Sequence, residues 1–373
     1  MSAIRVLHCP DAVAGNAPQL AAAERSLGLA SWSVALEETP YGYRPDEILF
    51  AAGDGATRRE FKRLRLLRRA LRDFDVVHFN FGQSMLPSRP GAWSGSAHQR
   101  AHQAYARIVA GRDLPLLRRA GKGIVVTYQG DDARQGDWVL ANFELATAQE
   151  TEPGYYTPAS DEERRRRICH VDKNADAIFA LNPDLLHVLP ERAEFLPYSS
   201  VDIQAWNPVP PRAAGPPVVV HAPTDRGGKG TRFVLAAVEA LRAEGVELEF
   251  VLVEGLTRAQ ARAEYERADL VVDQLLAGWY GGLAVEAMAL GKPVIAYLRH
   301  SDFDGVPQEL VEQLPVIEAR PDTITDVLRR LLTSERSRLP EIGAAGRAFV
   351  ERWHDPVRVA ERLKQTYERI VAR

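Results

Sequence analysis

The stretch Asp273–Tyr297, DQLLAGWYGGLAVEAMALGKPVIAY, decides how the rest of the chain is read. A strand-like start runs into a glycine-rich turn (Gly278, Gly281, Gly282). A short helix follows, and Gly291-Lys292-Pro293 turns the chain into a second apolar strand. Such a layout suits an anion: glycine lets backbone approach closely, and the first N–H groups of a helix point at whatever lies in front of them. Glu286 sits a turn further in, where its two oxygens can accept neighbouring hydroxyls such as those of a ribose. A diphosphate joined to a ribose fits that geometry better than most ligands.

Outward from this stretch, short apolar runs alternate with helical patterns, the mark of parallel α/β sheets. Strands are predicted at Ile4–His8, Trp32–Leu36, Val76–Phe79, Ile124–Tyr128, Ala177–Ala180 and Glu194–Leu196. Helices are predicted between them at Pro18–Leu27, Thr57–Arg72, His98–Val109 and Glu162–Asn174. The Pro-dense segment Asn207–Pro217 suits neither helix nor central strand and reads as a linker. A second series follows, with strands at Val218–Ala222, Leu248–Val253, Leu270–Asp273 and Val294–Tyr297 and helices from Thr231, Arg258 and Leu283. Later helices are expected at Thr323–Leu332 and Glu341–Arg352, and a last one from Pro356 is long enough to reach back. The expected architecture is α/β, with two Rossmann-like domains facing each other across a cleft. The first spans 1–206, the linker 207–217 and the second 218–352, and the C-terminal helix, 353–373, returns to the first.

A chain of 373 residues matches about two domains at ~100–200 residues each. The net charge of −3 argues against a dedicated nucleic-acid binder, which would be visibly basic. Only six of the 47 basic residues are lysine, which with the abundant alanine reads as base-composition bias and not as function. Cys9 and Cys169 are far apart, form no metal or redox spacing, and fit a reduced compartment. The chain opens directly on a strand, without the apolar stretch of a signal peptide, and no run approaches the ~18 apolar residues of a membrane span. A cytoplasmic protein, at most peripheral to the inner membrane face, is expected.

Two strand-to-helix turns join Asp273–Tyr297 as candidate ligand loops. The first, His8 to Pro18 through Gly15 and Asn16, lies at the carboxyl end of the first strand, where open α/β sheets collect ligands. It is no GxGxxG, so a nicotinamide cofactor is poorly supported, and a plain turn with Asn16 as N-cap is an equal reading. The second, His221 to Thr231, sets Arg226 and Lys229 among Gly227, Gly228 and Gly230 ahead of a helix. Arg as a planar fork and Lys as a point charge can clamp a diphosphate. The Walker pattern is absent, because Gly230 stands where Ser or Thr must follow the lysine.

Together, His221–Gly230 and Gly278–Tyr297, with EAMALGKPV at 286–294, resemble the donor-binding domain of GT-B fold glycosyltransferases, specifically the large retaining, family 4-like group. Ala268-Asp269-Leu-Val-Val, Asp75-Val-Val-His-Phe and Ile124-Val-Val-Thr-Tyr-Gln-Gly-Asp-Asp132 agree, so the resemblance covers most of the chain. It implies that Glu286 holds the ribose hydroxyls of a nucleotide-sugar, and that Lys229 and the N–H groups of Gly281, Gly282 and Leu283 hold the donor diphosphate. Two departures stand out. The first acid of the family's spaced pair would fall at Gly278, and the family arginine would fall at Thr224, leaving Arg226 as the substitute. Gln129 stands where relatives carry a histidine beside the reacting sugar, and an amide cannot take a proton. Asp131 or Asp132 is then the nearest acid, unless both only cap the next helix.

Trp279 and Tyr280 are expected near the donor, and Trp138, Tyr155 and Tyr156 lie in an insertion-like stretch that could shape an acceptor site. The triplets Asp73-Phe-Asp75 and Asp302-Phe-Asp304 are discounted as metal motifs, so no cofactor or metal requirement is expected. The implied activity is transfer of a sugar from a nucleotide diphosphate-sugar to a glycan, lipid-linked or small-molecule hydroxyl acceptor in bacterial surface glycan synthesis. A non-catalytic binding subunit and a nucleotide-sugar 2-epimerase are the rivals. The basic amphipathic run Arg58–Arg72, with Phe61, Leu64, Leu67 and Leu71 at helical spacing, offers peripheral membrane contact; packing on the sheet with solvated arginines is the plainer reading.

Overall fold

The computed structural model describes residues 3–11, 13–39, 42–88 and 97–373, without the side chains of 97–99. Ala12, in the turn expected after the first strand, lies outside them. In chain order the first series comprises β1 (Arg5–Pro10), α1 (Asn16–Ser26), β2 (Ala30–Ala35), β3 (Glu47–Ile48), α2 (Ala56–Asp73), β4 (Val76–Asn80), α3 (Ala97–Val109), α4 (Asp113–Arg119), β5 (Gly123–Tyr128), α5 (Gly136–Asn142), α6 (Pro158–Asp172), β6 (Ala177–Ala180) and β7 (Glu194–Phe195). The second comprises β8 (Val218–His221), α7 (Arg226–Lys229), α8 (Thr231–Ala243), β9 (Glu249–Leu252), α9 (Arg258–Arg267), β10 (Leu270–Val272), α10 (Gly282–Ala289), β11 (Val294–Ala296), α11 (Gln308–Glu312), β12 (Ile317–Glu318), α12 (Ile324–Leu332), α13 (Leu339–Trp353) and α14 (Pro356–Val371). Residues 207–217 hold neither helix nor strand.

Two fully parallel sheets result, ordered β3-β2-β1-β4-β5-β6-β7 and β12-β11-β10-β8-β9. Their central strands are continuous apolar runs because helices cover both faces. Val218, Val219 and Val220, with Leu270, Val271 and Val272 beside them, are fully buried. The two-residue strands β3 and β12 were not predicted, since so short an edge carries no periodicity to read.

The chain separates into two compact units. One holds residues 1–135, 157–199 and 356–373, and the other holds 136–156 and 200–355. Sequence order and packing part company at 136–156, an arm that leaves the first series to pack with the second unit. The last helix, α14, packs on α1 within the first unit. A buried polar chain holds it there. Tyr367 of α14 donates to Glu24 of α1 at 3.0 Å and meets His78 Nδ1 of β4 at 2.7 Å. Glu24 also meets His8 Nε2 at 2.8 Å, and His78 Nε2 meets Thr127 Oγ1 at 2.7 Å. Burial holds the His78 pKa well below its ordinary value, so the ring sits neutral in this network.

Candidate functional site

In the second sheet the strand order reverses between β8 and β10, which run parallel and end together. Such a reversal is where open α/β sheets place ligands. Two segments leave the sheet there, α7 after β8 and the turn 273–281 after β10. Asp225 starts α7 by accepting the Gly228 N–H at 2.6 Å. Gly230, at φ +75°, ends it and begins α8. The stretch expected as an open glycine loop is therefore one helical turn, because Asp225 supplies a cap and glycine adopts that left-handed conformation at no steric cost. His221 ties α8 to the sheet, its ring nitrogens meeting the Val272 carbonyl at 2.8 Å and Thr231 Oγ1 at 2.9 Å. Burial lowers the pKa of this histidine also.

These constraints carry Lys229 to the end of β10. Its Nζ donates to Gln274 Oε1 at 2.5 Å and lies 3.5 Å from Asp273 Oδ1. Asp273 is fully buried, and its other oxygen accepts the Gly281 N–H at 2.5 Å. A Cβ on Gly281 would stand 3.2 Å from Lys229 Nζ, so a larger residue would crowd the ammonium. With Gly281 as the N-cap of α10, the N–H groups of Gly282, Leu283 and Ala284 have no acceptor inside the helix. Lys229 and the start of α10 are thus brought together. Arg226 is not part of this group: its side chain is 60% exposed and pairs with Glu254 at 2.7 Å.

Glu286 lies in α10 with its side chain 14% exposed. Its Oε1 accepts from Arg258 Nη2 at 3.3 Å, and the Arg258 guanidinium stands 5.7 Å from the centre of the Trp206 ring. Burial pushes the Glu286 carboxyl above its ordinary pKa, and Arg258 works against that. Tyr280 is fully buried, stacked on Trp279 with its hydroxyl 2.9 Å from His354 Nε2, so its ring belongs to the core that carries the turn. Asp273, Gln274 and Arg258, which contact the expected site residues Lys229, Gly281 and Glu286, were not singled out from the sequence. For Asp273 and Gln274 the signal was two polar residues directly after an apolar strand, and for Arg258 there was none.

In the first unit, the loops after β1 and β5 meet. Gly15, at φ +75°, is the N-cap of α1, and Asn16 is its first helical residue. Asn16 therefore does not cap the helix. Buried, it donates to Gln129 Oε1 at 3.1 Å and accepts the Ser199 N–H at 2.9 Å. Gln129 is left with a buried Nε2 that has no hydrogen-bond partner among the described residues. Asp132 faces its own loop, accepting the N–H groups of Gln129 at 3.1 Å and Gly130 at 2.7 Å. Asp131 is the more accessible acid, 2.9 Å from Arg134, which also holds Asp184 at 2.7 Å.

Burial pushes the Asp132 carboxyl up to about 6 from 3.8, against the pull of its N–H donors. The native state then binds this proton more tightly than the unfolded chain does. The stabilisation is present below 3.8 and is lost as pH rises through about 6. Relative to Asp132→Asn, whose single oxygen can still accept both N–H groups, the native protein should lose melting temperature between pH ~4 and ~7. A difference in Tm that stays constant across that range contradicts this.

No protein-family model and no curated protein matches the chain. Solved structures do. Sucrose-phosphate synthase from Thermosynechococcus elongatus aligns over 99% of this chain and 99% of its own, with a TM-score of 0.62 at 16% identity. The catalytic domain of starch synthase IV from Arabidopsis thaliana, bound to ADP and acarbose, aligns over 100% and 99%, at 0.57 and 12%. A glycosyltransferase from Rickettsia africae aligns over 100% and 99%, at 0.56 and 10%. The fold is GT-B. Identities this low show the fold alone.

This GT-B chain has a local reason for its departure at Gly278. The residue sits at φ +82°, and a Cβ there would lie 2.5 Å from Arg299 Nη1. Arg299 occupies that space. It bonds Asp302 at 2.9 Å and the Leu145 carbonyl at 2.7 Å, and its guanidinium lies 3.5 Å from the centre of the Phe143 ring. Leu145 and Phe143 belong to the arm, which also packs its backbone on α7 at Gly227 and pairs Glu150 with Arg232 at 2.6 Å. Among the described residues, no group of three or more His, Cys, Asp or Glu side chains is placed to hold a metal ion, and no helix is long and apolar enough to cross a membrane.

Proposed function

We propose that this chain is a glycosyltransferase that moves a sugar from a nucleotide diphosphate-sugar to a hydroxyl acceptor, with retention, in the synthesis of a bacterial surface glycan or glycoconjugate. The observation that carries the reading is the meeting of Lys229, Gly281 and the open N–H groups of α10 at the β8/β10 reversal, with Glu286 a turn further along. In this reading Lys229 and the N–H groups of Gly282 and Leu283 neutralise charge on the departing diphosphate, as fixed donors aimed at developing charge do. Glu286, oriented by Arg258, accepts the ribose hydroxyls. The ADP held by the starch synthase IV structure, which is similar in fold, supports a nucleotide ligand. In the first unit, Gln129 Nε2 and Asp131 would bind an acceptor hydroxyl, while Asp132 and Asn16 hold the loop in shape. No resident cofactor or metal is invoked, with Lys229 and the N–H groups of α10 serving instead.

Gly278 and Gln129, standing where the resemblance expects an acid and a histidine, favour the rival reading of binding without turnover. Product analysis with donor and acceptor separates the two readings. The direct test is calorimetric titration with UDP, GDP, ADP and TDP, with and without EDTA. One nucleotide should bind selectively and be indifferent to chelation. Glu286→Gln should weaken it by roughly one to two powers of ten, since a hydrogen bond to a charged group is worth ~1.5–3 kcal/mol. Unchanged affinity in that variant would sink the ribose assignment, and silence toward every nucleotide would sink the donor site.

A further inference from the structure

We infer that α2 is a docking surface for an anionic lipid bilayer. Helices of this amphipathic pattern ordinarily turn their apolar side chains to the core, and α2 does so with Leu66, Leu67 and Ala70, all buried. On the opposite side of the helix it does something else. Phe61 is 68% exposed and Leu64 is 50% exposed. Successive positions 61, 64, 65 and 68 follow helical spacing, so Arg65 and Arg68 share that outer stripe. Both arginines are exposed, and neither has an acidic partner among the described residues. Their neighbours on the helix are engaged, Arg59 with Glu37, Arg63 with Glu60, Arg69 with Glu47 and Arg72 with Asp73.

Two large apolar side chains held out in water forgo the stabilisation that burial would give them, and the two arginines beside them stand ready to meet anions. They suit the headgroup boundary, where rings and aliphatic chains enter the acyl edge and guanidinium groups meet lipid phosphates. Ile108 of α3 and Leu116 of α4 are also exposed, at 60% and 43%. Charge complementarity selects the occupant. The whole molecule is acidic, at −3, so a local cationic stripe with aromatic and aliphatic insertion points to an anionic bilayer and not to a general polyanion. This inference is independent of the nucleotide site.

The test is flotation of the full chain with vesicles of phosphatidylcholine alone and of phosphatidylcholine with phosphatidylglycerol. Binding is expected only to the anionic vesicles, weakening as salt rises. At ~1 kcal/mol per basic residue, Arg65→Gln with Arg68→Gln should lower partitioning roughly 10- to 30-fold. Phe61→Ser with Leu64→Ser should lower it by at least as much, with the thermal melt of each variant unchanged. Absence of binding to anionic vesicles overturns the inference, as does full binding by both variants. Loss in the arginine variant alone also overturns it, because that outcome marks a plain anion patch without insertion.

Discussion

Lys229→Ala should lower turnover by on the order of 10²–10³ if Lys229 stabilises the leaving diphosphate, the usual loss when one preorganised donor is removed. Two effects need separating, because the lysine also has a resting duty. Its ammonium faces Asp273, a fully buried carboxylate whose remaining partner is the Gly281 N–H. Deleting the ammonium leaves that carboxylate under-compensated, a change worth about 1–3 kcal/mol of stability. Adding Asp273→Asn should restore the melt, because the buried charge is gone, and should leave turnover low. Recovery of both in the double variant would make Lys229 a purely structural cation. Asp273→Asn alone should tighten nucleotide binding, since the amide no longer competes with phosphate for the lysine and the Gly281 N–H. A fall in KM with little change in kcat would show that the carboxylate acts on ground-state binding.

Gly227→Ala is expected to destabilise the second unit by ~1–3 kcal/mol, the cost of overpacking a site that cannot yield. The new Cβ would lie 1.9 Å from the Glu150 carbonyl oxygen and 3.3 Å from Thr151 Cα. These are backbone atoms and cannot rotate away as the end of a long side chain can. The arm, 136–156, must therefore lift from α7 and give up the Glu150–Arg232 pair. Arg232→Gln is the control. It removes the same ion pair without a clash, and the Arg232 side chain is 65% exposed, so screening leaves it worth ~0–1 kcal/mol. Urea melts should show a clear loss for the glycine variant and almost none for the control, with new proteolytic cleavage inside the arm. Equal melts and equal cleavage would mean that the arm is not seated through its backbone.

The elements around Asp273–Tyr297 were legible because their signals are local. Gly278 and Gly291 both adopt positive φ, at +82° and +72°, where glycine is favoured, and the apolar runs on either side became β10 and β11. The parallel sheets followed from the alternation of runs and helical patterns, and the closing helix from its length. Partner choice was not legible. Nothing adjacent to Lys229 in sequence says that Gln274 and Asp273, some forty-five residues on, will receive it. Arg258 looked like an ordinary start of a helix, yet it holds Glu286 from another element. Asp132 read as a candidate acid because a sequence does not show which way a carboxylate faces; here two N–H groups of its own loop claim it. The arm was misplaced for the same reason, since its allegiance lies in Gly227, Arg232 and Arg299, all far away along the chain.

The helix α14 bears on how such a chain is made. Glu24 and His78, buried in the first unit, meet the hydroxyl of Tyr367, which lies 343 and 289 residues further along the chain. The body holding residues 136–156 and 200–355 has all its pieces before that residue is made. A growing chain normally completes its leading domain first. Here the polar core of the first unit is completed by a segment that is made after every piece of the second.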